Sequence, residues 1–153
     1  MKILLISDTH AATSRISEVL SLSKPDMIIH CGDMDRDCSY IEEQMPHIPL
    51  IAVRGNNEYF CMRPYMMLQE ICGHKIYITH GHKEHVRNEL DTLAAKADAC
   101  ACKLALFGHT HQQTDCTKNG VRLVNPGALS GVYGSYALLQ VTEESIDITF
   151  HAL

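Results

Sequence analysis

Five segments of the chain place a carboxylate, an amide or an imidazole directly after a short apolar run. They are Ser7-Asp8-Thr9-His10, Gly32-Asp33, Gly55-Asn56, Thr79-His80-Gly81-His82 and Gly108-His109-Thr110-His111. Oxygen and imidazole ligands together suit Mn, Fe(II), Zn or Co better than Ca or Mg, and none of the five positions offers a thiolate. The residue types and their spacing therefore predict a site for divalent metal ions.

Two divalent cations held close together need an anion between them. Asp33 stands alone at the end of its apolar run, which makes it the candidate for a bridging carboxylate. On the residues alone, Asp8 and His10 would serve one metal and Asn56 and His80 the other. His109 and His111 would be divided between the two metals. Helix N-caps at the aspartates and an ordinary turn at Asn56 are the competing interpretations.

The elements that must position these side chains can be read from the apolar pattern. In the first half, three runs typical of buried strands alternate with two segments of helical periodicity. We predict strands at residues 2–6, 27–29 and 50–53, and helices at 14–22, capped by Thr13 or Ser14, and 38–45. This order predicts a parallel sheet with right-handed crossovers. Ligands collect beyond the carboxyl ends of such strands, so the five polar segments should converge on one crevice.

The second half has a different pattern. We predict a hairpin over 66–79, a helix over 84–99, a buried strand at 104–107, a tight turn at Asn119-Gly120 and a final hairpin over 136–150. A parallel half followed by an antiparallel half, with helices in both, predicts two packed sheets between helical layers. The length of 153 residues fits a single domain spanning residues 1–153.

Composition limits the partners. A formal net charge of −5 argues against binding of a nucleic-acid polymer, which normally requires a basic stripe. Only four apolar residues follow Lys2 before Ser7, too few for a signal segment or a membrane span, so no membrane association is expected. Seven cysteines, an odd number without a C-x-x-C pair, indicate reduced thiols and a cytoplasmic location.

The five segments together resemble the calcineurin-like metallophosphoesterase superfamily, whose motifs run D-x-H, G-D, G-N-x-[DE], a lone His and G-H-x-H. The match runs in order from Asp8 to His111, and Asn125-Pro126-Gly127 resembles the stretch that follows in its small bacterial and archaeal phosphodiesterases of the YfcE type. One such motif is weak evidence, whereas five in order are specific. The resemblance implies an α/β fold, a four-layer αββα sandwich of two mixed β-sheets flanked by helices.

The resemblance also implies how the ligands are shared. One metal would take Asp8, His10, Asp33 and His111, and the second would take Asp33, Asn56, His80 and His109. The implied reaction is attack of a metal-bridging hydroxide on phosphorus, which gives Asp33 and Asn56 a part in catalysis as well. Two divalent ions are the implied cofactors, with Mn expected first and Zn, Fe, Ni or Co as alternatives.

One position departs from the family pattern. Many relatives carry His directly after the Asn ligand, where it helps to protonate the leaving group, but this chain has Asn57. An amide donates a hydrogen bond but does not transfer a proton at neutral pH. General acid catalysis typically contributes roughly 10²–10⁴-fold, so its loss favours slow turnover of poor leaving groups. His82 is the candidate substitute, and the competing interpretation of His82 is a solvated or capping group.

The prediction is a dinuclear phosphodiesterase for a small or generic phosphodiester. A phosphomonoesterase and a protein-binding scaffold of the same fold, as in a eukaryotic retromer subunit, are the alternatives. All seven ligand positions hold residues that can bind a metal ion, which favours the enzyme.

Several residues near the motifs have open roles. Arg54 is a candidate for substrate phosphate or for pairing with a carboxylate, and His30 is expected to be a core histidine bonded to a backbone group. Loops 58–64 and 130–135 are expected to carry specificity. Core packing, a substrate wall and a face of a homo-oligomer all stay open for the apolar cluster of Met62, Tyr65, Met66 and Met67.

Overall fold

Strands and helices alternate in an order that confirms the predicted α/β class. The computed structural model describes residues 1–153. The first half contains β1 (Lys2–Ile6), α1 (Thr13–Ser23), β2 (Met27–His30), α2 (Asp35–Gln44) and β3 (Leu50–Ala52). The second half contains β4 (Met66–Ile71), β5 (His74–Thr79), a 3₁₀ turn (His82–Glu84), α3 (Asp91–Ala99), β6 (Leu104–Leu106), β7 (Gln113–Lys118), β8 (Val121–Pro126), β9 (Ser135–Val141) and β10 (Ile146–Ala152).

The strands form two five-stranded mixed sheets. Sheet one has the order β10-β9-β1-β2-β3, in which β1, β2 and β3 are parallel and β9 runs antiparallel to β1. Sheet two has the order β4-β5-β6-β8-β7, with β5, β6 and β8 parallel. The turn at Asn119-Gly120 joins β7 to β8 as predicted, with positive φ at both residues.

The two sheets pack face to face between helices, which confirms the four-layer αββα sandwich. Successive side chains of a strand point to opposite faces, so Ile3 and Leu5 of β1 pack against sheet two while Leu4 and Ile6 pack against α1 and α2. In sheet two, Tyr77 and Phe107 pack against α3. Each such fully buried side chain contributes roughly 1.5–3 kcal/mol of hydrophobic stabilisation. No helix is long and apolar enough to span a bilayer, and all seven cysteines are free.

The third helix is shorter than predicted, because it begins at Asp91 and not at residue 84. Glu84 is buried and accepts hydrogen bonds from Thr79 Oγ1 (3.0 Å) and Lys96 Nζ (2.9 Å), so its side chain is committed to tertiary contacts. His85 has φ of 55°, which ends the preceding 3₁₀ turn. The Glu89 carboxylate then accepts hydrogen bonds from the first backbone N–H groups of α3 and starts that helix.

The first helix lacks the predicted side-chain cap. Ala12 occupies the N-cap position, and neither Thr13 nor Ser14 caps the helix. Instead, the backbone N–H of Ala11 donates to Asp37 Oδ2 at 2.9 Å. The loop between β1 and α1 is thereby tied to α2, at the carboxyl edge of sheet one.

His30 ends β2 and has 0% of its surface exposed. The backbone N–H of Gly32 donates to its Nδ1 at 3.0 Å, and Thr9 Oγ1 lies 3.1 Å from its Nε2. Because Nδ1 accepts a hydrogen bond, the imidazole is neutral, and the prediction of a core histidine bonded to a backbone group is confirmed. Burial, together with the charge of His80, lowers the pKa of His30 to about 3.

The buried neutral His30 predicts a loss of stability in mild acid. Unfolded His30 has a pKa near 6.5 and takes up a proton that the folded imidazole does not bind. The free energy of unfolding should therefore fall as pH decreases from 6.5 towards 3, by up to about 1.4 kcal/mol per pH unit from this group. Urea unfolding of metal-free protein at pH 7, 6 and 5 measures this slope.

The matched variant is His30→Asn, which keeps an acceptor near the Gly32 N–H but does not titrate. Between pH 6 and 5 its slope should be smaller than that of the wild type by about 1 kcal/mol per pH unit. Equal slopes in the two proteins would contradict the neutral assignment.

Candidate metal centre

The predicted polar segments meet where the carboxyl ends of the two sheets come together. Asp8, Asp33 and Asn56 follow β1, β2 and β3 of sheet one, while His80 and His109 follow β5 and β6 of sheet two. Because the parallel strands of each sheet end at the same edge, residues up to about a hundred positions apart lie in one crevice.

The backbone is strained at this edge. Of the twelve residues other than glycine that have positive φ, five are predicted metal ligands: Asp8, His10, Asp33, His109 and His111. Such conformations cost of order 1–3 kcal/mol each, and they persist only where the surrounding structure enforces them. Their concentration here indicates that the loops serve to aim these side chains.

Two glycines allow the loops to approach the carboxylates. A Cβ on Gly55 would overlap Asp33 Oδ1, and a Cβ on Gly108 would overlap Ser7 Oγ and lie 2.8 Å from Asp8 Oδ2. No other residue type fits at either position without moving a carboxylate.

Asp8 holds one group of candidate ligands. Its Oδ1 lies 3.1 Å from His111 Nε2 and 4.0 Å from His10 Nε2. The side chain is fully buried, yet Oδ1 has no hydrogen-bond partner. The other oxygen, Oδ2, accepts hydrogen bonds from Ser7 Oγ (2.6 Å) and the His109 backbone N–H (3.0 Å). One oxygen is thus fixed by the protein, and the other is left free to face a cation.

Asp33 holds a second group, with His80 and Asp8. Asp33 Oδ2 lies 3.5 Å from His80 Nε2 and 3.8 Å from His10 Nε2. His80 Nε2 also lies 4.0 Å from Asp8 Oδ1, so the ligand atoms of Asp8, Asp33 and His80 lie within 4.8 Å of one another. Asp33 faces a histidine of each group, whereas Asp8 is the residue that belongs to both groups, so a bridging role for Asp33 stays a prediction.

Asn56 and His109 lie beside these groups. Asn56 Oδ1 is 3.2 Å from His80 Nε2. The ring of His109 meets the ring of His80 edge to face, with 5.0 Å between centroids. His109 belongs to neither compact group of ligand atoms. The crevice thus contains all seven predicted ligand residues, five of them in the two compact groups.

Hydrogen bonding fixes the protons of His80. Its Nδ1 lies 2.8 Å from the carbonyl oxygen of Cys31; a carbonyl only accepts, so Nδ1 donates and Nε2 points at the carboxylates. Burial lowers the pKa of His80, but the hydrogen bond with Asp33 and the charges of Asp8 and Asp33 raise it above the ordinary value. Burial raises the pKa of Asp33, whereas the hydrogen bond and charge of His80 and the hydrogen bonds from Asn57 together outweigh burial and lower this pKa below the usual range. In the protonated form of His80, Nε2 also carries a proton. A cation bound at Nε2 would take the place of that proton.

The pKa values of His109 and His82 are both lowered. Burial, reinforced by the charge of His80, lowers the pKa of His109 to about 4 and lowers the pKa of His82 as well. His82 begins the 3₁₀ turn, with its ring centroid 5.4 Å from that of His80 and 6.1 Å from that of His109. His82 therefore lies in the crevice as predicted, but a lowered pKa disfavours the protonated form that its predicted role requires, and that role stays a prediction.

Asn57 and Glu58 have structural roles that the sequence did not reveal. Asn57 Nδ2 donates to Asp33 Oδ2 at 2.6 Å, and its backbone N–H donates to Asp33 Oδ1 at 3.1 Å. The Glu58 carboxylate accepts hydrogen bonds from the backbone N–H groups of Gly55 (2.6 Å) and Met34 (3.1 Å). Burial raises the pKa of Glu58 against the effect of these hydrogen bonds. The only sequence signal for either residue is its position in the G-N-x-E motif.

Arg54 does not pair with a carboxylate, so that predicted role is wrong. Its guanidinium donates through Nη2 to the backbone carbonyl of Glu58 (3.1 Å) and through Nη1 to that of Cys61 (3.2 Å), and it lies 4.7 Å from the centre of the Tyr65 ring. These two nitrogens hold the following loop, whereas Nε has no hydrogen-bond partner and contact with a substrate phosphate stays a prediction. A sequence pattern cannot distinguish a free arginine from one that braces a loop.

Ser130 is a further residue that the motifs missed. Its Oγ donates to the backbone carbonyl of Asp8 at 2.7 Å, across 122 positions of sequence. Arg15 donates to the carbonyl of Leu129 at 2.9 Å and so holds the same segment in place. The loop that precedes β9 therefore fixes the backbone of Asp8.

The donor set fits divalent cations. Two buried carboxylates have no lysine or arginine within ion-pair distance, and only histidines face them. Buried carboxylates are normally paired with a cationic side chain or bound to a metal ion. Asp8 Oδ1 has no hydrogen-bond partner in the protein, so a metal ion is the partner that fits it. Exposure of the His111 side chain (45%) leaves one side of the crevice open to a substrate.

Comparisons with known proteins agree with this geometry. Residues 1–144 match the family model of the calcineurin-like phosphoesterase superfamily domain. A phosphodiesterase of Methanocaldococcus jannaschii is 27% identical, over 86% of each chain. A structure from Streptococcus pneumoniae, described as a predicted phosphoesterase, superposes with a TM-score of 0.82 at 24% identity, covering 99% of this chain and 88% of that one.

A second solved structure has the same fold. Vps29 from Entamoeba histolytica, complexed with Zn²⁺, superposes with a TM-score of 0.80 at 18% identity, and 99% of each chain is covered. The similarity to both structures rests on the sandwich of two sheets. With the family model covering all five polar segments and Asp and His residues grouped as metal ligands, the chain belongs to the calcineurin-like phosphoesterase superfamily.

Proposed function

We propose that the protein is a dinuclear metal-dependent phosphodiesterase that hydrolyses a small phosphodiester. The observation that carries the proposal is the position of Asp33 Oδ2, 3.5 Å from His80 Nε2 and 3.8 Å from His10 Nε2. A single carboxylate oxygen that faces a histidine from each group of ligands is the arrangement in which two cations would share one anion. Mn is the ion that we expect to give the highest activity, with Zn, Fe, Ni and Co as alternatives.

Two sets of side chains would hold the cations. Asp8, His10 and His111 form the first set, Asn56, His80 and His109 form the second, and Asp33 is shared. Bound divalent ions would lower the pKa of a water molecule and neutralise charge on the phosphoryl oxygens. The water oxygen forms a bond to phosphorus as the ester P–O bond breaks, and the departing oxygen takes up a proton.

The residues of this chain determine how that departing oxygen is protonated. Asn57 supplies no proton and is bonded to Asp33, and burial lowers the pKa of His82, which disfavours its protonated form. Solvent is then the proton source, so leaving groups of low pKa should react fastest. Support for a diester comes from the relative named a phosphodiesterase.

Protein binding is the second candidate function. The observation in its favour is a set of exposed apolar side chains after Asn56, among them Tyr59, Phe60 and Met62, each at least 94% exposed. A complete set of seven ligand residues favours the enzyme, because a scaffold does not require them.

Metal-dependent hydrolysis tests the proposed enzyme directly. We expect Mn²⁺ to support turnover of bis-p-nitrophenyl phosphate, and chelation to abolish it. Asp33→Ala and His109→Ala should each lower kcat/KM by on the order of 10²-fold or more, because each removes a group that positions a cation. The diester should react faster than p-nitrophenyl phosphate.

The control for this experiment is His47→Ala, because His47 is exposed and lies outside the crevice. Its activity should equal that of the wild type. Absence of Mn-dependent turnover, or full activity in both alanine variants, would refute the enzyme and favour the scaffold.

Asn57 should strengthen metal binding through Asp33. Asn57→Ala removes the amide that donates to Asp33 Oδ2, so the carboxylate is held less firmly. Loss of such an outer partner typically weakens metal affinity by about 10–100-fold. Titration of metal-free protein with Mn²⁺, followed by electron paramagnetic resonance, measures this change. Asn88→Ala, at an exposed asparagine, is the control and should bind Mn²⁺ as the wild type does; equal affinity in both variants would contradict the role of Asn57.

A further inference from the structure

A cavity of about 410 Å³ opens beside Asn57. Its walls include Met34 and Arg36 from the segment after β2, and Asn57, Tyr59 and Phe60 from the segment after β3. Small-molecule sites typically have volumes of about 300–1,000 Å³, so this cavity suits one small organic group.

The cavity adjoins the candidate metal centre. Asn57 forms its inner edge and donates to Asp33 Oδ2, the oxygen that faces both histidine groups. Glu58 ties the two walls together, because its carboxylate accepts from the N–H groups of Gly55 and Met34. A phosphodiester held at the centre would therefore extend one of its two ester groups into this cavity.

The outer walls of the cavity are aromatic and exposed. Tyr59 is 94% exposed and Phe60 is 99% exposed, so their ring faces are free for contact. Arg54 braces this loop from below through the carbonyls of Glu58 and Cys61. Two free rings on a loop that Arg54 braces offer faces on which a planar group can stack.

The charges around the cavity select among possible groups. Arg36 is exposed and forms no ion pair, whereas Asp35 is bonded to Arg63 Nε at 2.6 Å. The Glu58 carboxylate is also occupied, by two backbone N–H groups. Arg36 is therefore the charged group that is left to contact a ligand, and its positive charge favours a planar group rich in carbonyl and π electrons over a quaternary ammonium group.

We propose that this cavity binds the nucleoside of a nucleotide phosphodiester, with the base stacked on Tyr59 and Phe60 and its polar edge near Arg36. The inference rests on the proposed function, because it assigns one ester group of the diester that the centre would hydrolyse. The cavity volume suits one nucleoside, and the net charge of −5 argues against a nucleic-acid polymer, so we expect the substrate to be a small nucleotide ester.

Three diesters with the same leaving group test the proposal on Mn-loaded protein. They are the p-nitrophenyl ester of thymidine 5′-monophosphate, methyl p-nitrophenyl phosphate and p-nitrophenylphosphorylcholine. We expect kcat/KM for the nucleoside ester to exceed that of the other two by about tenfold or more, which is the range that base stacking supports. A choline ester that reacts as well as the nucleoside ester would overturn the assignment.

The double variant Tyr59→Ala/Phe60→Ala separates stacking from catalysis. It should lose about tenfold or more in kcat/KM on the nucleoside ester, mainly through KM, and less than about twofold on the methyl ester. Met62→Ala is the matched control, because Met62 is 98% exposed on the same loop but does not line the cavity. Equal losses on both esters, or no loss on either, would overturn the proposal.

Binding without turnover provides an independent measurement. Saturation-transfer NMR of metal-free protein with thymidine 5′-monophosphate should show transfer to the base protons, and the double variant should lose it. If no ester is hydrolysed but this transfer is present, the proposed catalysis fails and the nucleoside site stands. Absence of transfer in the wild type, or its persistence in the double variant, would overturn the nucleoside site.

Discussion

The burial of two carboxylates at one edge is the constraint on which the site depends. Asp8 and Asp33 lie close to the same histidines, and no basic side chain of the protein neutralises them. Buried like charges repel strongly where the effective dielectric constant is low, so the arrangement is favourable only with protons or cations between them. The hydrogen bonds to Asp8 Oδ2 and Asp33 Oδ1 keep both groups in place. Asp8 Oδ1 has no hydrogen-bond partner, and Asp33 Oδ2 accepts from Asn57 and faces His80 and His10.

The rest of the fold serves to enforce that burial. The sheets supply three apolar layers, and strained backbone is concentrated at the carboxyl edge, where five candidate ligands have positive φ. An extended core resists relaxation of these loops, because any release of strain would have to move strands that are packed on both faces. Stability and function therefore occupy different parts of the molecule: the sandwich is regular, and the edge is not.

Much of this could be predicted from the sequence, because it depends on local pattern. Apolar runs ending in Asp or His located the strands and the crevice, and the motif resemblance supplied the two-sheet sandwich. Features that depend on tertiary contacts were missed. The start of the third helix follows from the buried Glu84, and the role of Arg54 follows from a loop that folds back on it. Asn57 was recognised only as a missing acid, since its contact with Asp33 spans 24 positions.

The hydrogen bond from Ser130 to the carbonyl of Asp8 has a consequence for how the protein is made. β1 is the central strand of its sheet, but one of its neighbours, β9, begins only at Ser135. During synthesis the first metal ligand therefore emerges long before the segment that fixes its backbone. The crevice cannot be completed until the segment around Ser130 and strand β9 has left the ribosome, and contacts of such long range are slow to form.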